Sequence, residues 1–205
     1  MTSIQRHAGT ALILSFVAIA VTFCASKNFI KVNYQLPLQP VELKETRVAL
    51  TVKDMRENPA IVTQSAKKAL KNFSGHFALI VAKEKNDEKL VGAFGLSSMI
   101  REIFRHRLEN AGVQVVAEED FEEFIVEIVL KEFSLDLQNR KWIITMNYQA
   151  NLIKQNQVVA GEMVTGSAER LRVISGKNAE LVIGELVSDV VNRLNLSDFL
   201  KAAGA

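Results

Sequence analysis

Hydrophobic and polar positions alternate with a period of two over residues 47–54, where Val48, Leu50 and Val52 fall on one side and Ala49 and Thr51 on the other. That period predicts a strand, because successive side chains of extended backbone leave on opposite faces. The apolar run Phe77-Ala-Leu-Ile-Val-Ala82 predicts a second. From Leu96 the spacing changes: Leu96, Met99, Ile100, Ile103, Phe104, Leu108 and Ala111 recur at three and four, with Arg101, Glu102, Arg105, Arg107 and Glu109 on other faces. This is the stripe of an amphipathic helix, and Gly112 supplies its stop.

Beyond a short strand at 113–116, residues 124–137, 141–154 and 157–172 form three long extended segments separated by Gln-Asn-Arg140 and Gln-Asn156, which predicts successive hairpins. In the middle segment Trp142, Ile144, Met146, Tyr148, Ala150 and Leu152 share one parity, opposed by Lys141, Thr145, Asn147, Gln149 and Asn151, so one face packs and the other is wet. In the first segment the apolar parity is even through Leu130 and odd from Phe133, which predicts a β-bulge at Lys131 and Glu132. A last helix carries Ala179, Ile183, Leu186, Val187, Val190 and Leu194 on one stripe, with Asn178 or Ser175 as its cap, and a short tail, Ser197-Asp-Phe-Leu200, follows. The order β-β-α-β-β-β-β-α predicts an α/β domain of the α+β type: a two-layer sandwich with a mostly antiparallel sheet, long hairpin strands, and two amphipathic helices on one face.

Two regions lie outside these periods. Residues 55–75 are polar and interrupted by Pro59, and read as a loop with a helical turn near Gln64–Lys71. Residues 27–45 hold Pro37 and Pro40, two of the three prolines, and read as an extended tether without ladder hydrogen bonds.

The N-terminus has a different pattern. Arg6 is followed by an uncharged stretch of 19 residues, Ala8 to Ser26, whose apolar centre from Ala11 to Phe23 is 13 residues long. That length suits a signal-peptide core and falls short of the roughly 20 apolar residues that cross a bilayer. Cys24, followed by the small Ala25 and Ser26, resembles the bacterial lipoprotein signal, in which the thiol takes a diacylglycerol. Val21 and Thr22 suit that pattern; Phe23 departs from it, since a small residue normally precedes the lipidated cysteine. A retained membrane helix, or ordinary cleavage after Ser26, are the alternatives. The expected organisation is residues 1–23 as signal peptide or anchor, 24–45 as lipidated cysteine and tether, and 46–205 as one domain.

Composition narrows the function. A net charge of +2 is too small to point to a polyanion, so no nucleic-acid partner is expected. One cysteine excludes an internal disulfide, a redox Cys pair and a multi-cysteine zinc site. The chain has no Gly-x-Ser-x-Gly, no phosphate loop and no His-Glu-x-x-His, so no catalytic residue, cofactor or metal is assigned and no enzyme is expected. His7 lies in the targeting segment, while His76 and His106 read as solvent-facing or structural. The acidic run Glu118-Glu-Asp-Phe-Glu-Glu123 lacks the glycine and alternate spacing of a calcium loop and reads as a solvated turn. Arg101, Arg105 and Arg107 with Lys67, Lys68 and Lys71 offer a basic patch for anionic head groups, but Arg101 and Arg105 also pair naturally with Glu102 and Glu109 along the helix. An exposed sheet edge or apolar groove, for a partner strand or a lipid chain, is the remaining binding feature.

Tyr34-Gln-Leu-Pro37, Val48-Ala-Leu-Thr-Val52, Arg107-Leu-Glu-Asn-Ala-Gly112 and Val187-Ser-Asp-Val-Val-Asn-Arg-Leu194 with Phe199-Leu200 together resemble the YajG-like family of bacterial lipoproteins, from about Cys24 to the end. The resemblance implies a lipoprotein facing the periplasm, with Ala25 after the cysteine favouring the outer over the inner membrane, and no established reaction. A looser similarity is to auxiliary lipoproteins of ABC-type transport systems. The expected function is a non-catalytic binding or scaffold module held to the membrane through Cys24, with a protein partner and, as a second ligand class, lipid. The alternative is an auxiliary subunit of a lipid or envelope transport system.

Overall fold

The computed structural model describes residues 28–38, 43, 46–84, 87–117, 124–172 and 178–201. In chain order the elements are β1 (Asn28–Gln35), β2 (Arg47–Asp54), α1 (Gln64–Ala69), β3 (Phe73–Ala82), β4 (Glu88–Phe94), α2 (Leu96–Asn110), β5 (Gln114–Val116), β6 (Ile125–Gln138), β7 (Lys141–Lys154), β8 (Gln157–Leu171), α3 (Asn178–Arg193) and α4 (Leu196–Lys201). They build a two-layer α+β sandwich with a five-stranded sheet, order β5-β2-β6-β7-β8, and a three-stranded sheet, order β1-β3-β4.

The long meander follows its side-chain pattern. Trp142, Ile144, Met146, Tyr148, Ala150 and Leu152 of β7 are all buried, and α2 and α3 pack on that side of the large sheet. Both hairpins close through two-residue turns, Asn139-Arg140 and Gln155-Asn156, with all four residues at positive φ. That is the turn whose twist matches the flanking strands. The ladder shifts register between Leu130 and Glu132, at the bulge the parity switch predicts.

Past that bulge, residues 61–63 replace β2 as the neighbour of β6, bridging at Val62 and Leu135. Arg56 fills the gap, donating to Phe133 O at 3.2 Å and Pro59 O at 3.1 Å while paired with Asp54. Asp136 then gathers the start of α1, accepting from the Thr63 hydroxyl, from Ser65 Oγ at 2.5 Å and from Leu137 N–H at 2.7 Å.

The helical stripes bury as read: Leu96, Met99, Ile100, Ile103, Phe104, Leu108 and Ala111 in and after α2, and Ala179, Ile183, Leu186, Val187, Val190 and Leu194 in and after α3. Gly112 follows α2 at φ 87°, and Val113 N–H reaches back to Leu108 O at 3.1 Å, a left-handed helix stop. Asn178 is the first residue of α3 and not its cap, its side-chain amide donating to Leu171 O at 2.8 Å. Ser175, the other expected cap, lies outside the described residues.

The order of elements is longer than the sequence pattern predicts. The segment read as a tether contains β1, which runs parallel to β3 and buries Ile30, Val32 and Tyr34. The charged stretch after β3 returns as β4, antiparallel to β3 and with Leu90 opposite Ile80. These strands form a sheet of their own where the pattern predicts one sheet. β2 lies parallel to both β5 and β6, pairings that only the fold reveals.

Candidate functional site

β1 is the edge of the small sheet, and an open edge presents unpaired backbone groups to any extended chain. Here α3 covers it with Glu180, Gly184, Ser188 and Asn192, positions four residues apart. Lys31 N–H donates to Glu180 Oε1 at 3.2 Å, and Gln35 N–H donates to Ser188 Oγ at 2.9 Å. The Ser188 hydroxyl donates to Asn33 O at 3.5 Å, and Asn192 Nδ2 donates to Gln35 O at 2.9 Å. The spacing has a simple origin: four helical residues rise about 6 Å and two strand residues about 6.6 Å, so each turn of α3 meets one outward-facing residue of β1. Gly184 sits between Glu180 and Ser188, and a Cβ there would stand 2.7 Å from Asn33 O. Only a residue without a side chain lets the helix approach the strand this closely.

Beside this seam lies an open groove of about 480 Å³, lined by Lys31, Asn33, Gln35, Ile80, Glu88 and, from α3, Glu180, Leu181, Gly184, Glu185 and Ser188. Leu181 is 46% exposed, and Leu90, across the ladder from Ile80, is 65% exposed. The groove therefore combines Ile80 and one solvent-exposed leucine, Leu181, with carboxylates and one ammonium. Glu180 is engaged by the β1 backbone and Glu185 by Arg170, so these two carboxylates hold structure.

A smaller cleft of about 350 Å³ opens at the start of β1, lined by Asn28, Phe29, Ile30, Ala69, Leu70, Lys71, Phe73, Ala179 and Glu180. Phe29 is 42% exposed there and meets His76 edge-on, ring centroids 6.4 Å apart.

The residues singled out in the sequence are scattered. Cys24, His7 and the acidic run 118–123 lie outside the described residues. His76 is exposed, with Nδ1 3.1 Å from Ser74 O. His106 is half-buried in α2, and burial, reinforced by the Arg105 guanidinium, draws its pKa below the ordinary histidine value. The mixed basic patch does not assemble. Arg105 pairs with Glu102 at 2.6 Å and Glu109 at 2.9 Å, and Arg107 turns inward, 1% exposed, where burial lowers its pKa against the opposing influence of Tyr34 and Tyr148. Among the described residues no group of three or more His, Cys, Asp or Glu could hold a metal, and no helix is long and apolar enough to cross a membrane.

Sequence reasoning missed the groove because it missed β1. The signal was present: Ile30, Val32 and Tyr34 alternate with Lys31, Asn33 and Gln35, and Glu180, Gly184, Ser188 and Asn192 form a small and polar stripe at intervals of four.

No family model matches the chain, and no curated protein does. Among solved structures, protein XCC0632 from Xanthomonas campestris, of family DUF330, is similar in fold, with a TM-score of 0.53 at 12% identity over 82% of this chain and 92% of that one. Two more distant likenesses are lipoprotein GNA1162 from Neisseria meningitidis, with a TM-score of 0.40 at 11% identity over 73% of this chain and 97% of that one, and the uncharacterized lipoprotein B from Nitrosomonas europaea, with a TM-score of 0.42 at 15% identity over 82% and 88%. The likeness to the Xanthomonas protein is one of fold.

Proposed function

We propose that the protein is a lipoprotein of a bacterial envelope, anchored through Cys24 and facing the periplasm, whose domain is a non-catalytic binding module for an extended segment of a partner protein. The observation that carries the binding role is the groove beside the β1–α3 seam, lined by Ile80 and the exposed Leu181. An extended segment would place alternate apolar side chains on Ile80 and Leu181 and present its polar ones to Lys31 and Glu88. A lipid chain fits less well, because the groove is open and carries carboxylates, whereas an acyl chain gains most from an enclosed apolar site. That ranks the transport-auxiliary reading second. The anchor is supported by the 13-residue apolar core ending at Cys24, and the YajG-like resemblance agrees with it.

A photo-crosslinking residue placed at Leu181 in living cells tests the groove against the same residue at Leu171, which is 63% exposed on the large sheet. A discrete crosslinked partner from Leu181 and none from Leu171 is expected; identical patterns from both sites reject the groove. The anchor has its own test. The intact mass of membrane-extracted protein carries a diacyl or triacyl increment that disappears in Cys24→Ala.

A further inference from the structure

We propose that the end of the domain formed by the start of β1 and by α1 docks on an anionic phospholipid surface, with Phe29 entering the boundary between head groups and acyl chains and Lys67, Lys68 and Lys71 meeting the phosphates. This rests on the lipid anchor at Cys24 and specifies how the anchored domain is oriented.

The chain length makes the argument. Cys24 precedes Asn28 by four residues, and Asn28 is already paired in the small sheet, opposite Phe73. Four residues reach at most about 14 Å even when fully extended. A lipid on Cys24 therefore brings the bilayer surface to the start of β1, and the surface around that point faces it.

What surrounds that point has the chemistry of a membrane interface. Phe29 projects beside the cleft formed by Ala69, Leu70, Lys71 and Phe73. The start of β1 is fastened to the turn after α1 and to the start of β3: Asn28 Nδ2 donates to Lys71 O at 3.4 Å, and Ser74 Oγ donates to Asn28 O at 3.3 Å. Lys67, Lys68 and Lys71 are exposed, and among the described residues none has a carboxylate within ion-pairing distance. Glu180, the acidic residue lining the same cleft, has Oε1 engaged by the Lys31 N–H. An exposed aromatic ring beside the Lys71 ammonium, with the exposed Lys67 and Lys68 on the adjoining helix α1, tethered within one short segment of a lipid, matches an anionic bilayer in both polarity and charge. β1 then leads away from the membrane, carrying the groove at Lys31 to Gln35 toward solvent.

The test uses the full protein extracted from membranes and reconstituted into nanodiscs containing phosphatidylethanolamine and phosphatidylglycerol with brominated acyl chains. Trp142 is the only tryptophan and is buried, so a Phe29→Trp variant adds one interfacial reporter. Quenching of that reporter is expected to exceed, by at least threefold, that of Leu171→Trp in the same discs. Adding Lys67→Glu, Lys68→Glu and Lys71→Glu to the Phe29→Trp variant is expected to halve the quenching, as is replacing phosphatidylglycerol with phosphatidylcholine. Intact mass is read on every sample. A diacylated protein quenched equally at positions 29 and 171, or insensitive to both the lysine reversal and lipid charge, overturns the docking face while leaving the anchor standing. An unmodified mass overturns the anchor and the docking face together.

Discussion

The Tyr34 hydroxyl donates to Asn192 Oδ1 at 2.9 Å, while the same asparagine's amide donates to Gln35 O at 2.9 Å. One side chain of α3 thus closes both a buried phenol and the last backbone acceptor of β1, and burial holds the phenol's pKa far above the ordinary tyrosine value, the Arg107 charge opposing weakly. Asn192→Ala is expected to destabilise the fold by about 2 kcal/mol, because it leaves two polar groups without partners. In the Tyr34→Phe background the same substitution is expected to cost about 1 kcal/mol less. Urea unfolding of the four proteins in the cycle checks this, and additive losses would separate the two residues energetically.

Gly184 gives a prediction whose sign is opposite to helix propensity. Glycine to alanine inside an exposed helix gains about 1 kcal/mol. In α3 the new methyl would stand 2.7 Å from Asn33 O, against backbone that is itself held in a ladder. Gly184→Ala is therefore expected to lower stability by about 1 to 3 kcal/mol, measured as a fall in the urea midpoint. It is also expected to abolish the crosslink from Leu181, since β1 and α3 must separate to admit it.

Asp136 sets a pH window. Hydrogen bonds from Ser65 and Thr63, added to those from Gln138 and Leu137 N–H, hold its carboxyl at about 2 against an ordinary 3.8. A depressed folded pKa means that the stabilisation is complete above about pH 4 and is lost as pH falls toward 2. Asp136→Asn is expected to cost about 1 kcal/mol at neutral pH, a modest figure because the carboxylate is partly solvated. The difference from the parent protein should disappear near pH 2, as thermal melts across pH will show.

The two hairpin turns place Arg140 and Gln155 at φ 62° and 49°, where a Cβ is unfavourable. Gln155→Gly is expected to raise stability by about 0.5 to 1 kcal/mol, since glycine adopts this backbone freely. Asn156 should be less responsive to the same change, because asparagine tolerates positive φ. Guanidinium unfolding of the two single variants gives the comparison.

Legibility in the sequence followed the strength of local periodicity. β7 repeats its apolar parity from Trp142 to Leu152, and α2 carries its stripe through four turns, so neither needed outside information. The bulge at Lys131 could be read because a change of parity within one strand has few other causes. β1 was obscured by the neighbouring Pro37 and Pro40, and β4 by its charges and by Gly92, so their partner β3 supplies what their own patterns lack. The site suffered from the same cause. Lys31, Glu88 and Leu181 are far apart in sequence, and only pairing across the small sheet and the seating of α3 bring them together.

The sequence alone determined which faces of β7, α2 and α3 turn inward, where the long hairpins reverse, and that an apolar segment ends at Cys24. Those are properties of a residue and its near neighbours, set by side-chain periodicity and backbone preference. Tertiary structure decided that β1 belongs to a sheet, that α3 caps its edge through Glu180, Ser188 and Asn192, and that Arg107 faces the core while Lys67, Lys68 and Lys71 stay at the surface. An edge strand's backbone groups look alike from either side in sequence; which element satisfies them depends on what the folded chain places within hydrogen-bonding distance.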